Sequence, residues 1–219
     1  MTSRPRVPAI LGQLSAGGVM TAALLVAIIL AWIFVVLAPG GMGMGPVAFV
    51  IAWTVMMAAM MLPSAAPLVL LYRLGAKTRN TIVLICGYML VWAVVGVPAY
   101  LAMEFLPMTL APMALAVAGV YQLTPLKTVC LRQCRTPADF LVQRWGRGPL
   151  RLGIEHGAWC LGCCWALMTV LVLVGMMGLA WVVGLAGLVA VEKLSTRGVL
   201  VSRLAGVAFL AAAIFEAIR

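Results

Sequence analysis

The strongest constraint on this chain is the succession of its apolar runs. Sparsely charged segments lie at about 19–38, 47–72, 81–103, 107–122, 152–175, 177–191 and 199–218, separated by short polar breaks. A helix of about 20 apolar residues spans a hydrocarbon core of roughly 30 Å. The pattern therefore predicts an all-α, polytopic transmembrane helix bundle with about seven spans. Composition agrees: 65% of the residues are hydrophobic and 9% charged, against about 45–50% and about 25% in soluble domains. The first run, Val19 to Leu37, exceeds the roughly 7 to 15 residue core of a signal peptide and is read as a retained helix.

The distribution of charge decides what the net charge of +10 means. Arg4 and Arg6; Arg73, Lys77 and Arg79; Lys127, Arg132, Arg135, Arg144, Arg147 and Arg151; and Lys193, Arg197 and Arg203 all fall in alternate connections, leaving only Arg219 of the fifteen cations on the other side. By the positive-inside rule the N-terminus is cytoplasmic and the C-terminus exoplasmic, in a multi-pass protein of a bacterial cytoplasmic membrane. The basic excess thus records topology and anionic headgroups rather than a nucleic-acid partner. Most of the six cysteines then sit at or below the cytoplasmic surface, where thiols stay reduced and favour ligation or redox chemistry over structural disulfides.

Residues 1–219 read as one transmembrane domain, in which the long polar connection 123–150 is an ordered cytoplasmic segment with short helices. Thr124-Pro125 and Thr136-Pro137 each offer a capping hydroxyl followed by proline at the first helical position. The first of these helices carries Cys130 and Cys134 one turn apart, beside Lys127, Arg132 and Arg135. Positive neighbours favour the thiolate, so the pair is expected to act as a metal hand-off site. Pro63, Pro67 and Pro98 interrupt the second and third spans, as is tolerated where other groups satisfy the freed backbone.

The densest donor set is HGAWCLGCCW, residues 156–165. On a helix His156, Cys160, Cys163 and Cys164 fall within a sector of about 100°, roughly 7 to 20 Å inward from Arg151. Thiolate and imidazole together suit copper(I) or zinc, and a sulfur-rich set leans toward copper(I). Gly157 and Gly162 leave room for a second helix to approach. The second span is expected to contribute to the site: its stretch WTVMMAAMMLP places Met56, Met57, Met60 and Met61 at a similar depth, with two or three directed at one point. GGMGMGP, residues 40–46, puts Met42 and Met44 on the exoplasmic side as last contacts for outgoing copper. Cys86 is read as packing, and Glu155 and Glu192 as ion-pair partners of Arg151 and Lys193.

The blocks WTVMMAAMMLPSAAP, YQLTPLKTVCLRQCRTP, HGAWCLGCCWALM and EKLS resemble the predicted metal-binding integral membrane protein family, over about 47–195. That family includes the membrane copper chaperone encoded beside a bacterial tyrosinase. The resemblance implies a multi-span helical protein that binds copper and supplies it to a partner cuproenzyme. It carries the family's cysteine blocks onto Cys130, Cys134, Cys160, Cys163 and Cys164, its methionine block onto Met56, Met57, Met60 and Met61, and sets His156 at the start of the second cysteine block.

The expected function is copper(I) binding and delivery through an intramembrane Cys/Met/His site, with zinc as the other metal compatible with the donors and no catalytic residues. No phosphate-binding loop of the G-x-x-x-x-G-K-[ST] kind is present, which argues against ATP-driven pumping by this chain. The alternative is a membrane thiol-disulfide oxidoreductase coupled to quinone, suggested by the C-x-x-C spacing within CLGCC. Cytoplasmic placement of the thiols counts against it.

Overall fold

In the computed structural model residues 7–37, 44–175 and 178–218 are described. Helices and short connections account for them, and no strand occurs among them. Nine α-helices are described: α1 (Val7–Leu37), α2 (Pro46–Gly75), α3 (Thr78–Phe105), α4 (Ala111–Leu123), α5 (Pro125–Arg135), α6 (Pro137–Arg144), α7 (Pro149–Val170), α8 (Leu179–Leu194) and α9 (Gly198–Ile218). The end of α7 widens into a π-helical turn at Leu171–Gly175.

Five of these helices are long and apolar enough to cross a bilayer, α1 from Gly18 onward, α2, α3, α7 with its extension, and α9; the bent pair α4 and α5 makes six if taken as one span. The runs expected as complete spans at 107–122 and 177–191 contain helices of 13 and 16 residues. At 1.5 Å per residue they reach only about 20 and about 24 Å. The long helices keep a largely apolar outer surface, with Leu25, Leu30, Val94, Leu101, Val207 and Phe215 all exposed. An outward apolar face of this kind is compatible with insertion in a membrane.

The tightest pairing is α3 against α7. Glycine makes it: a Cβ on Gly153 would run into the Leu84 carbonyl oxygen, and one on Gly157 would meet Val91 at 2.8 Å. Backbones meet closely only where no side chain intervenes. On the other side of α3, Trp53 of α2 donates its indole N–H to the Trp92 carbonyl at 3.0 Å, joining α2 to the same unit.

The connection 123–150 does not lie on the surface throughout. α5 turns 69° from α4 and packs against α7 and α8. Thr124 caps it, accepting from the Lys127 amide at 3.3 Å, with Pro125 at its first turn. Its Leu131 and Lys127 are 0% and 1% exposed. Pro137 likewise opens α6, but the Thr136 hydroxyl donates back to the Arg132 carbonyl at 3.1 Å instead of capping α6. At the start of α7, Glu155 gathers Arg144, Arg147 and Arg151 at 3.2, 2.9 and 3.0 Å, so the expected pair with Arg151 forms within a larger cluster.

Candidate metal centre

Three helices supply the buried sulfur and a fourth walls it in. α7 presents Cys160, Cys163 and Cys164, each 1% exposed; α5 presents Cys134; α2 presents Met56, Met57, Met60 and Met61, and α8 closes the cluster with Val182, Leu185, Ala186 and Val189. The cysteine stripe and the methionine run share one buried cluster. Tyr88 of α3 bridges them, its hydroxyl 3.1 Å from Cys160 Sγ and 3.5 Å from the Met61 carbonyl oxygen. That carbonyl lies in the proline-bearing part of α2 and also accepts from the Ser64 hydroxyl at 2.8 Å.

The shortest sulfur pair joins two helices: Cys134 Sγ lies 3.9 Å from Cys163 Sγ. Metal–thiolate bonds of about 2.3 Å allow two bridged sulfurs to stand up to about 4.6 Å apart, so one ion fits between them. Cys163 and Cys164 also direct their thiols at the Cys160 carbonyl, at 3.1 and 2.9 Å. Among the described residues no three Cys, His, Asp or Glu side chains are arranged to hold an ion jointly. What the chain offers is a two-sulfur seat with thioethers in the same buried cluster, a donor set suited to a soft monovalent ion.

The other expected donors are placed differently. Cys130 is half-buried, with its sulfur against Gly162, so that a Cβ there would lie 3.0 Å from Sγ; this is the close approach for which Gly162 was singled out. Cys86 is exposed. His156 is buried between the Tyr88 and Phe140 rings, at centroid distances of 5.6 and 5.2 Å, and its Nδ1 meets no hydrogen-bond partner among the described residues. It shares the helix face of the cysteines but sits in an aromatic slot one turn from them. Met42 and part of its glycine loop lie outside the described residues; Met44 is half-buried just before α2.

Two expectations about charge are corrected. Glu192 pairs with Lys127 of α5 at 2.6 Å and not with Lys193. Adjacent residues on a helix point about 100° apart and do not face each other. The Lys127 ammonium, expected beside the Cys130 and Cys134 thiols, donates to Glu192 and to the Cys163 carbonyl. Gln122 completes the network, donating to Glu192 at 2.7 Å and accepting from Ser202 at 3.0 Å.

Lys193 was read as a boundary charge. Its side chain instead enters the core, where Nζ lies 2.8 Å from Cys160 Sγ, 3.3 Å from Ser64 Oγ and 4.0 Å from Met61 Sδ. The motif EKLS at the end of an apolar helix is the available signal, and the positive-inside pattern places its lysine among the boundary charges.

A family model described as PpoB2, copper chaperone, matches residues 50–215. No curated protein and no solved structure matches the chain.

Proposed function

The chain belongs to the PpoB2 family of copper chaperones, and from that premise we propose that it is an integral membrane carrier that binds copper(I) at a buried sulfur site and passes it to a partner cuproenzyme such as a tyrosinase. The observation that carries this reading is the 3.9 Å approach of Cys134 on α5 to Cys163 on α7. Two thiolates at that separation match a soft monovalent ion and suit hard cations poorly.

In this reading copper(I) is cargo. It meets Cys130, the half-buried thiol of α5, then the Cys134–Cys163 pair, with Cys160 and the Met61 thioether as the deeper neighbours. Stepwise exchange between sulfurs on facing helices lets the ion move without being released as a free charge into a low-dielectric interior. Met56, Met57 and Met60 share the cluster and form its apolar, polarizable wall. His156 extends the donor line toward the start of α7. The cations at the ends of the helices support a cytoplasmic N-terminus and an exoplasmic C-terminus in a bacterial cytoplasmic membrane. Residues 1–219 form one membrane domain.

A chaperone family supports a non-enzymatic role, and Lys127, Glu192, Gln122 and Lys193 near the sulfurs are engaged with one another or with Cys160. The oxidoreductase alternative requires a sulfur pair able to close into a disulfide; Cys163 directs its thiol at the Cys160 carbonyl at 3.1 Å, and the pair that approaches across helices, Cys134 and Cys163 at 3.9 Å, is read here as the metal seat.

The test is metal stoichiometry. Purified protein loaded anaerobically with copper(I) is expected to retain about one ion per chain against a moderate chelator, and the double variant Cys134→Ser, Cys163→Ser is expected to retain none. Equal retention by the variant removes the proposed site.

A further inference from the structure

Two lysines are buried beside the sulfur cluster, and their surroundings differ. Lys127 is matched by Glu192 at 2.6 Å, so that pair contributes no net charge to the core. Lys193, 6% exposed, has no carboxylate partner among the described residues; sulfur and a hydroxyl surround it, with Cys160 Sγ at 2.8 Å, Ser64 Oγ at 3.3 Å and Met61 Sδ at 4.0 Å. A buried cation needs a compensating negative charge nearby. In this core the groups able to supply it are the thiols of α5 and α7.

We propose that Lys193 is the specificity-determining residue of the sulfur site: its ammonium sets a charge that a monovalent ion held by two thiolates balances and a divalent ion overfills. This rests on the copper reading above. With Cys160 a neutral thiol that accepts from Lys193, the Cys134 and Cys163 thiolates carry two negative charges, the Lys193 ammonium returns one, and a single copper(I) brings the total to zero. Zinc(II) or cobalt(II) in the same two-sulfur seat leaves one positive charge buried. Geometry works in the same direction, because those ions take four ligands as a rule and no three Cys, His, Asp or Glu side chains converge among the described residues. Softness of the donors selects between copper and hard cations; the fixed ammonium selects between one charge and two.

Lys193 is a positioning residue, held to Cys160 through an N–H···S contact, and the experiment separates its charge from its hydrogen bond. Full-length wild type, Lys193→Met, Lys193→Gln and Lys193→Arg are purified in detergent without oxygen. Each is titrated with copper(I) against a chromogenic chelator and, separately, with cobalt(II), whose thiolate charge-transfer absorption reports sulfur binding. Wild type is expected to bind copper(I) and show no cobalt–thiolate band. Lys193→Met and Lys193→Gln are expected to lose at least about tenfold in copper(I) affinity and to gain the cobalt band, and Lys193→Arg to restore the wild-type pattern. Glutamine keeps a donor without the charge, so a wild-type pattern in Lys193→Gln overturns the assignment. A cobalt–thiolate band in wild type as strong as that of the neutral variants overturns it without any variant. Failure of wild type to bind copper(I) at all sinks the copper reading itself, a different result from copper binding that ignores residue 193.

Discussion

Replacing Glu192 by glutamine isolates the strongest electrostatic bond in the core. The Glu192 carboxylate meets the Lys127 ammonium at 2.6 Å with both side chains at most 2% exposed, and it also accepts from Gln122 at 2.7 Å. Removing one partner of such a pair leaves the other charge buried without compensation, which costs about 3–5 kcal/mol in comparable sites. A surface pair is worth about 0–1 kcal/mol; burial is what makes the difference here. The remaining Lys127 contact, to the Cys163 carbonyl, is neutral and supplies only part of the lost stabilisation. Glu192→Gln is therefore expected to lose about 3–5 kcal/mol in a reversible unfolding titration in mixed micelles. The double variant Lys127→Met, Glu192→Met replaces the pair by apolar side chains of similar reach and is expected to recover most of that loss, since apolar substitution of both partners is often neutral or better. A Glu192→Gln loss below about 1 kcal/mol, the level of an exposed pair, refutes the reasoning, as does a double variant no more stable than the single one.

Three further substitutions probe packing and ligation. Gly153→Val forces a side chain into the Leu84 and Tyr88 backbone across the α3–α7 contact and is expected to cost at least about 1–3 kcal/mol by the same titration. Gly184→Ala, where a Cβ meets nothing within 4 Å, is expected to be neutral or to stabilise by up to about 1 kcal/mol. Met61→Leu conserves volume and should change stability by less than about 1.5 kcal/mol, yet shorten copper(I) retention against a chelator by several-fold; unchanged retention takes the Met61 thioether out of the coordination path.

The long helices were legible in the sequence because each encodes its own apolarity: α1, α2, α3, α7 and α9 coincide with runs read directly from composition. The cysteine stripe and the methionine run, both read from the sequence as donors, fall in one buried cluster. The short segments were less legible. A run such as 107–122 records apolar character but not where a helix begins; Thr124-Pro125 marks the break before α5, but neither its angle of 69° nor the π-helical turn can be read from the sequence. The position of α5 was hidden as well. Its basic, cysteine-bearing sequence reads as a surface connection, yet Leu131, Lys127 and Cys134 are buried because α7 offers Gly162 beside Cys130 and Glu192 accepts the lysine. Lys193 shows the limit most clearly. A lysine in the last turn of an apolar helix has two destinations, headgroup or core, and only the position of Cys160 and Ser64 decides between them. The ring contacts that hold His156 away from the sulfurs were equally invisible, because Tyr88 and Phe140 come from segments far apart in the chain.

The central claim is that sulfur atoms from separate helices hold copper(I) inside the bundle. X-ray absorption spectroscopy on anaerobically loaded, detergent-purified protein tests it most directly. The account predicts a copper(I) edge and a first shell of sulfur alone, at about 2.3 Å as for other metal–thiolate bonds, which disappears in the Cys134→Ser, Cys163→Ser variant. A first shell dominated by nitrogen or oxygen, or a sulfur shell that survives the loss of both cysteines, contradicts it.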